Sequence, residues 1–111
     1  MRVTSSLWVG AYVRRCFAEG AAAVVARRGA EEAGAIFVIV DRLNGTADFY
    51  APAPQAIFDE SRPSERMFQL VVAEEPLAEV NARLAREVRF DSDLWTVAVE
   101  DRDGRAFLDT I

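Results

Sequence analysis

The chain has 111 residues, the size of one domain, and a folded chain of that length buries about two-thirds of the surface its unfolded form exposes. Apolar residues make up 51%, charged residues 28% and the net charge is −5, which excludes a disordered composition and opposes binding to a polyanion. All 13 basic residues are arginine and histidine is absent, so Ser-His-Asp and Cys-His pairs, histidine-ligated metals, Schiff-base lysines and the phosphate-loop lysine are excluded together.

The chain opens on "TSSLWVGAYVRRCFAEG", where Trp8, Val9, Tyr12, Val13, Cys16 and Phe17 recur at helical spacing. Thr4, Ser5 and Ser6 offer an N-cap, Gly20 a stop, and Arg14 and Arg15 sit in the later half, where positive charge suits the helix dipole. The apolar "LWVGAYV" is broken by those arginines without a small-residue cleavage site, so no secretory leader is expected. Cys16 is the single cysteine, which permits no internal disulfide and suits a reducing compartment. The expected location is the cytoplasm, with no membrane association.

"AAAVVARR" and "GAIFVIVDRL" then predict two strands, the second covered on both faces because its apolar run is unbroken. The turn between them, "GAEEAG", has the glycine spacing of a phosphate loop, but Ala35 stands where that loop needs lysine and a strand follows instead of a helix. "NG" at Asn44-Gly45 predicts a two-residue hairpin into "TADFYA". In that register Val40 faces Phe49 and Asp41 faces Asp48, an opposed acidic pair that an arginine, a cation or water would have to relieve.

The proline-rich stretch 52–66 follows, expected as a flexible surface flap of one domain spanning 1–111. Pro52, Pro54, Ile57 and Phe58 are its candidate partner-binding residues. "RMFQLVV" predicts a strand, and "EEPLAEVNARLAREVRF" a second helix with Pro76 in its first turn and Leu77, Val80, Leu84 and Val88 on one face. "LWTVAVE" is a strand with Trp95, Val97 and Val99 on one side, and Asp103-Gly104 predicts a terminal hairpin that pairs Val99 with Leu108.

Short turns between consecutive strands point to an α+β fold, a two-layer sandwich with a mainly antiparallel sheet of five to six strands and two helices on one face. Asp91 and Asp93 occupy the corner from helix to strand, where Asp side chains set turns by bonding backbone N–H groups, and they form the candidate divalent-metal site. Asp101 and Asp103 lie about 20 Å away along the strand, too far to share one ion.

"VTSSLWVGAYVRRCFAEGAAAVVARRGAEEAGAIFVIV", "APAPQ" and above all "FDSDLW" followed by "VEDR" resemble the alphaproteobacterial family called domain of unknown function 1491, over nearly the whole length. The resemblance implies a compact bacterial domain with no established activity and supplies no functional residues.

The residues favour a non-catalytic binding or regulatory module that acts through protein partners or self-association, without a cofactor and without catalytic residues. The alternatives are a cation-dependent hydrolase or phosphoryl-handling enzyme, using Asp91 and Asp93 or Asp41 and Asp48 with Arg89 or Arg42, and nucleic-acid binding through Arg14-Arg15 and Arg27-Arg28. The second alternative has Glu19, Glu31 and Glu32 beside its arginines and no interleaved aromatics.

Overall fold

A computed structural model describes residues 3–54 and 66–111. The elements are α1 (Ser5–Ala18), β1 (Ala22–Arg27), β2 (Ile36–Asp41), β3 (Thr46–Pro52), β4 (Phe68–Pro76), α2 (Leu77–Phe90) and β5 (Trp95–Glu100). The fold is α+β, with five strands in the order β1-β5-β2-β3-β4. Neighbours pair antiparallel except β2 and β5, which are parallel.

Thr4 caps α1 by accepting the Leu7 N–H, and the free N–H groups of Ser5 and Ser6 donate to the carbonyls of Glu32 and Glu31. Every donor of the first turn is therefore used inside the protein. Gly20, at φ 89°, ends the helix as expected. Val9, Tyr12 and Cys16 are buried and Trp8 and Val13 pack beside them, but Phe17 is turned outward and 58% exposed.

The turn between β1 and β2 does not bring those strands together, because β5 lies between them. The turn folds over the start of β5: the Ala30 N–H donates to the Asp93 carbonyl at 2.8 Å, and the Trp95 indole N–H donates to the Ala30 carbonyl at 2.8 Å. A Cβ at Gly29 or Gly34 would run into the Asp93 carbonyl. Their glycine spacing serves close backbone approach.

β2 is buried along Ile36–Val40, as its unbroken apolar run predicts. Strand alternation then separates two clusters. Ile36, Val38 and Val40 join Tyr50, Phe68, Trp95, Val97 and Val99 under α1, whereas Phe37 and Ile39 join Ala47, Phe49 and Leu94 under Val80 of α2. A strand buried on both faces needs cover on both, so α1 and α2 each take one face instead of sharing one.

The β2–β3 loop has three residues, Leu43 to Gly45, closed by the Arg42 N–H on the Thr46 carbonyl at 3.0 Å. Leu43 and Gly45 adopt positive φ, and Asn44 Oδ1 accepts from the Thr46 N–H and hydroxyl. The register moves by one residue from the two-residue expectation: Val40 pairs with Asp48, and Asp41 with Ala47.

No terminal hairpin forms, because both edges of β5 are already occupied by β1 and β2. The chain turns at 101–104, with the Gly104 N–H on the Asp101 carbonyl, and crosses the α1 face toward β4. There the Phe68 N–H donates to the Asp109 carbonyl and the Ile111 N–H to the Phe68 carbonyl. Ala106, Phe107 and Leu108 pack on the α1 cluster, and the Tyr12 hydroxyl donates to the Ala106 carbonyl at 2.6 Å.

That bond ties the tail to α1 from a site where burial also pushes the Tyr12 phenol well above its ordinary pKa. Replacing Tyr12 with Phe removes one hydrogen bond while keeping the ring, so stability in urea should fall by about 1 kcal/mol with an unchanged m-value. Amide exchange should accelerate first in residues 105–111.

Candidate functional site

Among the described residues, the two most buried acids are Asp48 and Asp101, at 1% and 7% exposure. The shifted hairpin register puts Asp48 beside Val40 and Tyr50, under the same side of the sheet as α1. A carboxylate there needs a charged partner. Arg42 Nε lies 3.1 and 3.2 Å from its two oxygens and Arg42 Nη2 2.9 Å from Oδ2, while the Glu74 N–H donates to Oδ1 at 2.8 Å. The hydrogen bonds that Arg42 donates to Asp48 raise the pKa of its guanidinium further. Glu74 has φ 52°, a left-handed conformation that turns its N–H toward Asp48.

The other side of the Arg42 guanidinium rests on Gly104 so closely that a Cβ there would overlap it. Gly104 also has φ 74°, so the position demands glycine on both counts. One arginine thus joins the β2–β3 hairpin, the bulged end of β4 and the turn after β5.

Asp101 is tied within its own turn. Arg105 reaches it with Nη2 at 2.7 Å and with its backbone N–H at 2.7 Å, and the Asp101 N–H donates to the Asp41 carbonyl. The side-chain bonds from Arg105 are the main cause of an Asp101 pKa below the ordinary carboxylate value. The i,i+4 spacing of Asp101 and Arg105 was the sequence signal for this pair, and the hairpin expectation hid it.

Asp41 and Asp48, expected to oppose each other, point to opposite faces of the hairpin. Asp41 Oδ1 accepts the Leu43 N–H at 2.8 Å. Asp91 and Asp93 do meet, at the corner after α2, where Asp91 Oδ1 accepts the Asp93 N–H at 3.0 Å and both residues are exposed. Among the described residues no group of three or more Cys, Asp or Glu is arranged to hold a metal ion. Pro52 ends β3 and Pro54 is exposed beyond it, while Ile57 and Phe58 lie outside the described residues.

A bare apolar area lies elsewhere. α1 covers the β1–β5 half of one face and α2 covers the β3–β4 half of the other, and no other described element covers the β1–β5 half of the α2 side. The register places Ala22, Val24 and Ala98 on that half, and Val24 is 59% exposed. Together with Asp41 and Glu100 they line a depression of about 250 Å³. Past a bulge at the far end of β1, Arg27 pairs with Thr96 on the same side. The strip is acidic at one end, apolar in the middle and basic at the other.

Beside it runs the outer edge of β1, which no described strand pairs. The opposite edge, β4, is guarded by register shifts in its pairing, by Glu74, Glu75 and Pro76, and by the tail bonded to Phe68. A second depression, about 170 Å³ between α1 and the tail, is lined by Trp8, Tyr12, Arg15, Phe107 and Leu108. No helix among the described residues is long and apolar enough to cross a membrane.

A family model described as "Protein of unknown function (DUF1491)" matches residues 3–109. A crystal structure of a DUF1491 family protein from Caulobacter crescentus CB15 is similar over 100% of this chain and 99% of that one, with 37% identity and a TM-score of 0.80. The solution structure of protein Atu0922 from A. tumefaciens has 42% identity and a TM-score of 0.85, over 100% of this chain and 96% of its own. No match was found among curated proteins.

The geometry around Arg42 and Asp101 has two measurable consequences. Arg42→Ala strands a buried carboxylate and Gly104→Ala drives a methyl into the guanidinium; each should cost about 2 kcal/mol in urea denaturation, given partial solvent access to Arg42. The double variant should lose clearly less than the sum, because both act on one contact. The depressed Asp101 pKa gives stability that is complete above the unfolded value of about 4 and lost as pH falls through the lower folded value. An Asp101→Asn variant should therefore be less stable at pH 7, with a flatter decline below pH 4.

Proposed function

The chain belongs to the DUF1491 family, and from that premise we propose that it is a non-catalytic cytoplasmic module that works through protein–protein contacts. The observation that carries this reading is the β1–β5 half-face, bare among the described residues, beside a strand edge that no described strand pairs. Open edges offer backbone donors and acceptors to an added strand, and an adjacent apolar patch supplies the area that such pairing needs.

The chemistry of the acids supports the same reading. Asp48 and Asp101 are held by Arg42 and Arg105, and Asp41 and Asp91 accept backbone N–H groups of their own turns. Each is committed to shaping the backbone, whereas the β1–β5 surface has no partner of that kind among the described residues. An enzyme of this composition would also lack every imidazole and primary side-chain amine.

A photoreactive phenylalanine analogue at position 24, in the full chain expressed in its native cell, tests this directly. Irradiation should give a discrete protein adduct, and the same probe at Leu7, which is 66% exposed on the outer side of α1, should give none. Equal labelling at the two positions, or none at 24, rejects the reading.

A further inference from the structure

Resting on that reading, we infer that the partner of the β1 edge is a second copy of this chain, joined by antiparallel β1–β1 pairing across a two-fold axis near Val24. The five-stranded sheet would continue into its twin as one sheet of about ten strands.

The strip complements itself. An isologous contact presents each patch to itself turned by 180°, so a surface suits it only if its two ends complement each other. Here they do. The entry to β1 carries Glu19, and Glu100 lies beside Ala22 on β5. The exit carries Arg27 and Arg28. Antiparallel pairing sets the arginine end of each protomer against the acidic end of the other, whereas a parallel arrangement would oppose like charges.

The middle of the strand is equally suited to self-contact. Ala22 and Ala23 are too small to hold a neighbouring strand away, and Val24 would meet its own symmetry mate across the axis. Arg28 already lies with its guanidinium carbon 5.0 Å from the Trp95 ring centroid, and Arg27 Nη2 donates to the Ser92 carbonyl at 2.7 Å. Both arginines are thus held near the exit of β1. The charged groups at the two ends are Glu19 and Glu100, with Arg105 Nη1 donating to the Glu19 carbonyl at 3.3 Å, and Arg27 and Arg28.

Analytical ultracentrifugation of the purified full chain, from micromolar to millimolar, should give twice the 12.3 kDa chain mass at the upper end. Val24→Lys, checked for native circular dichroism and melting temperature, should raise the dimer Kd at least tenfold. Glu19→Arg and Arg28→Glu should each weaken association several-fold, and the two together in one chain should restore it. Amides of residues 22–26 should exchange more slowly as concentration rises.

A chain that stays monomeric throughout overturns the inference, as does a dimer indifferent to Val24→Lys and to both charge reversals. The cross-linking experiment separates this failure from that of the broader reading. An adduct at position 24 of a mass other than two chains leaves the contact reading standing and removes the second copy; no adduct removes both.

Discussion

The position of β5 governs the rest of the molecule. It is the last strand in sequence, yet it lies between β1 and β2, antiparallel to one and parallel to the other. Backbone donors and acceptors on both of its edges are consumed by that pairing. β1 is displaced to the rim, and the chain beyond Glu100 has no edge to return to. It must leave the sheet through a turn packed against the β2–β3 hairpin and run across the α1 face to reach a free edge at Phe68. The bare half-face, the tail and the charged turn all descend from this one insertion.

The turn explains why the protein carries two nearly buried aspartates. Leaving the sheet beside β2 brings Asp101, nearly buried, against the Asp41 carbonyl and Gly104 against Arg42. Each carboxylate is met by a guanidinium whose planar fork contacts both oxygens, a geometry that an ammonium cannot reproduce. Asp48 gains a backbone donor from Glu74 and Asp101 one from Arg105, which fills further acceptor sites. An all-arginine cation set serves these ties well, whatever its origin in composition. Acids that look site-like in the sequence are consumed by the corners they make possible.

What could be read from the sequence follows the range of the interactions involved. α1, α2 and all five strands are set by local periodicity and turn residues, and their existence is legible. So is the Asp91–Asp93 corner, because an Asx turn spans only two residues. The hairpin register lies one residue from the one that "NG" predicts as a two-residue loop, because the positive φ of Leu43 adds a third position that no propensity announces. That single step sent Asp41 and Asp48 to opposite faces. Strand order was beyond reach for a different reason: placing β5 beside β2 is a contact between distant segments, and local pattern carries no trace of it. The tail and the bare β1–β5 surface were invisible for the same cause. A sharper sign was present in β2, whose two-sided burial already required one helix on each face.

An open edge is also a hazard, and the arrangement of this sheet bears on how it is contained. β1 is six residues long, bulges between Val25 and Arg27, and ends in two arginines, so a strand laid against it finds only a short regular stretch and a charged end that selects direction. A two-fold contact at such an edge consumes it in both protomers at once. Growth into a filament would then need the opposite edge, where β4 is irregular, acidic and partly covered by the tail. The insertion of β5 that exposes β1 also frees the tail to protect β4. A sheet with one receptive edge and one guarded edge can join a single partner and no more.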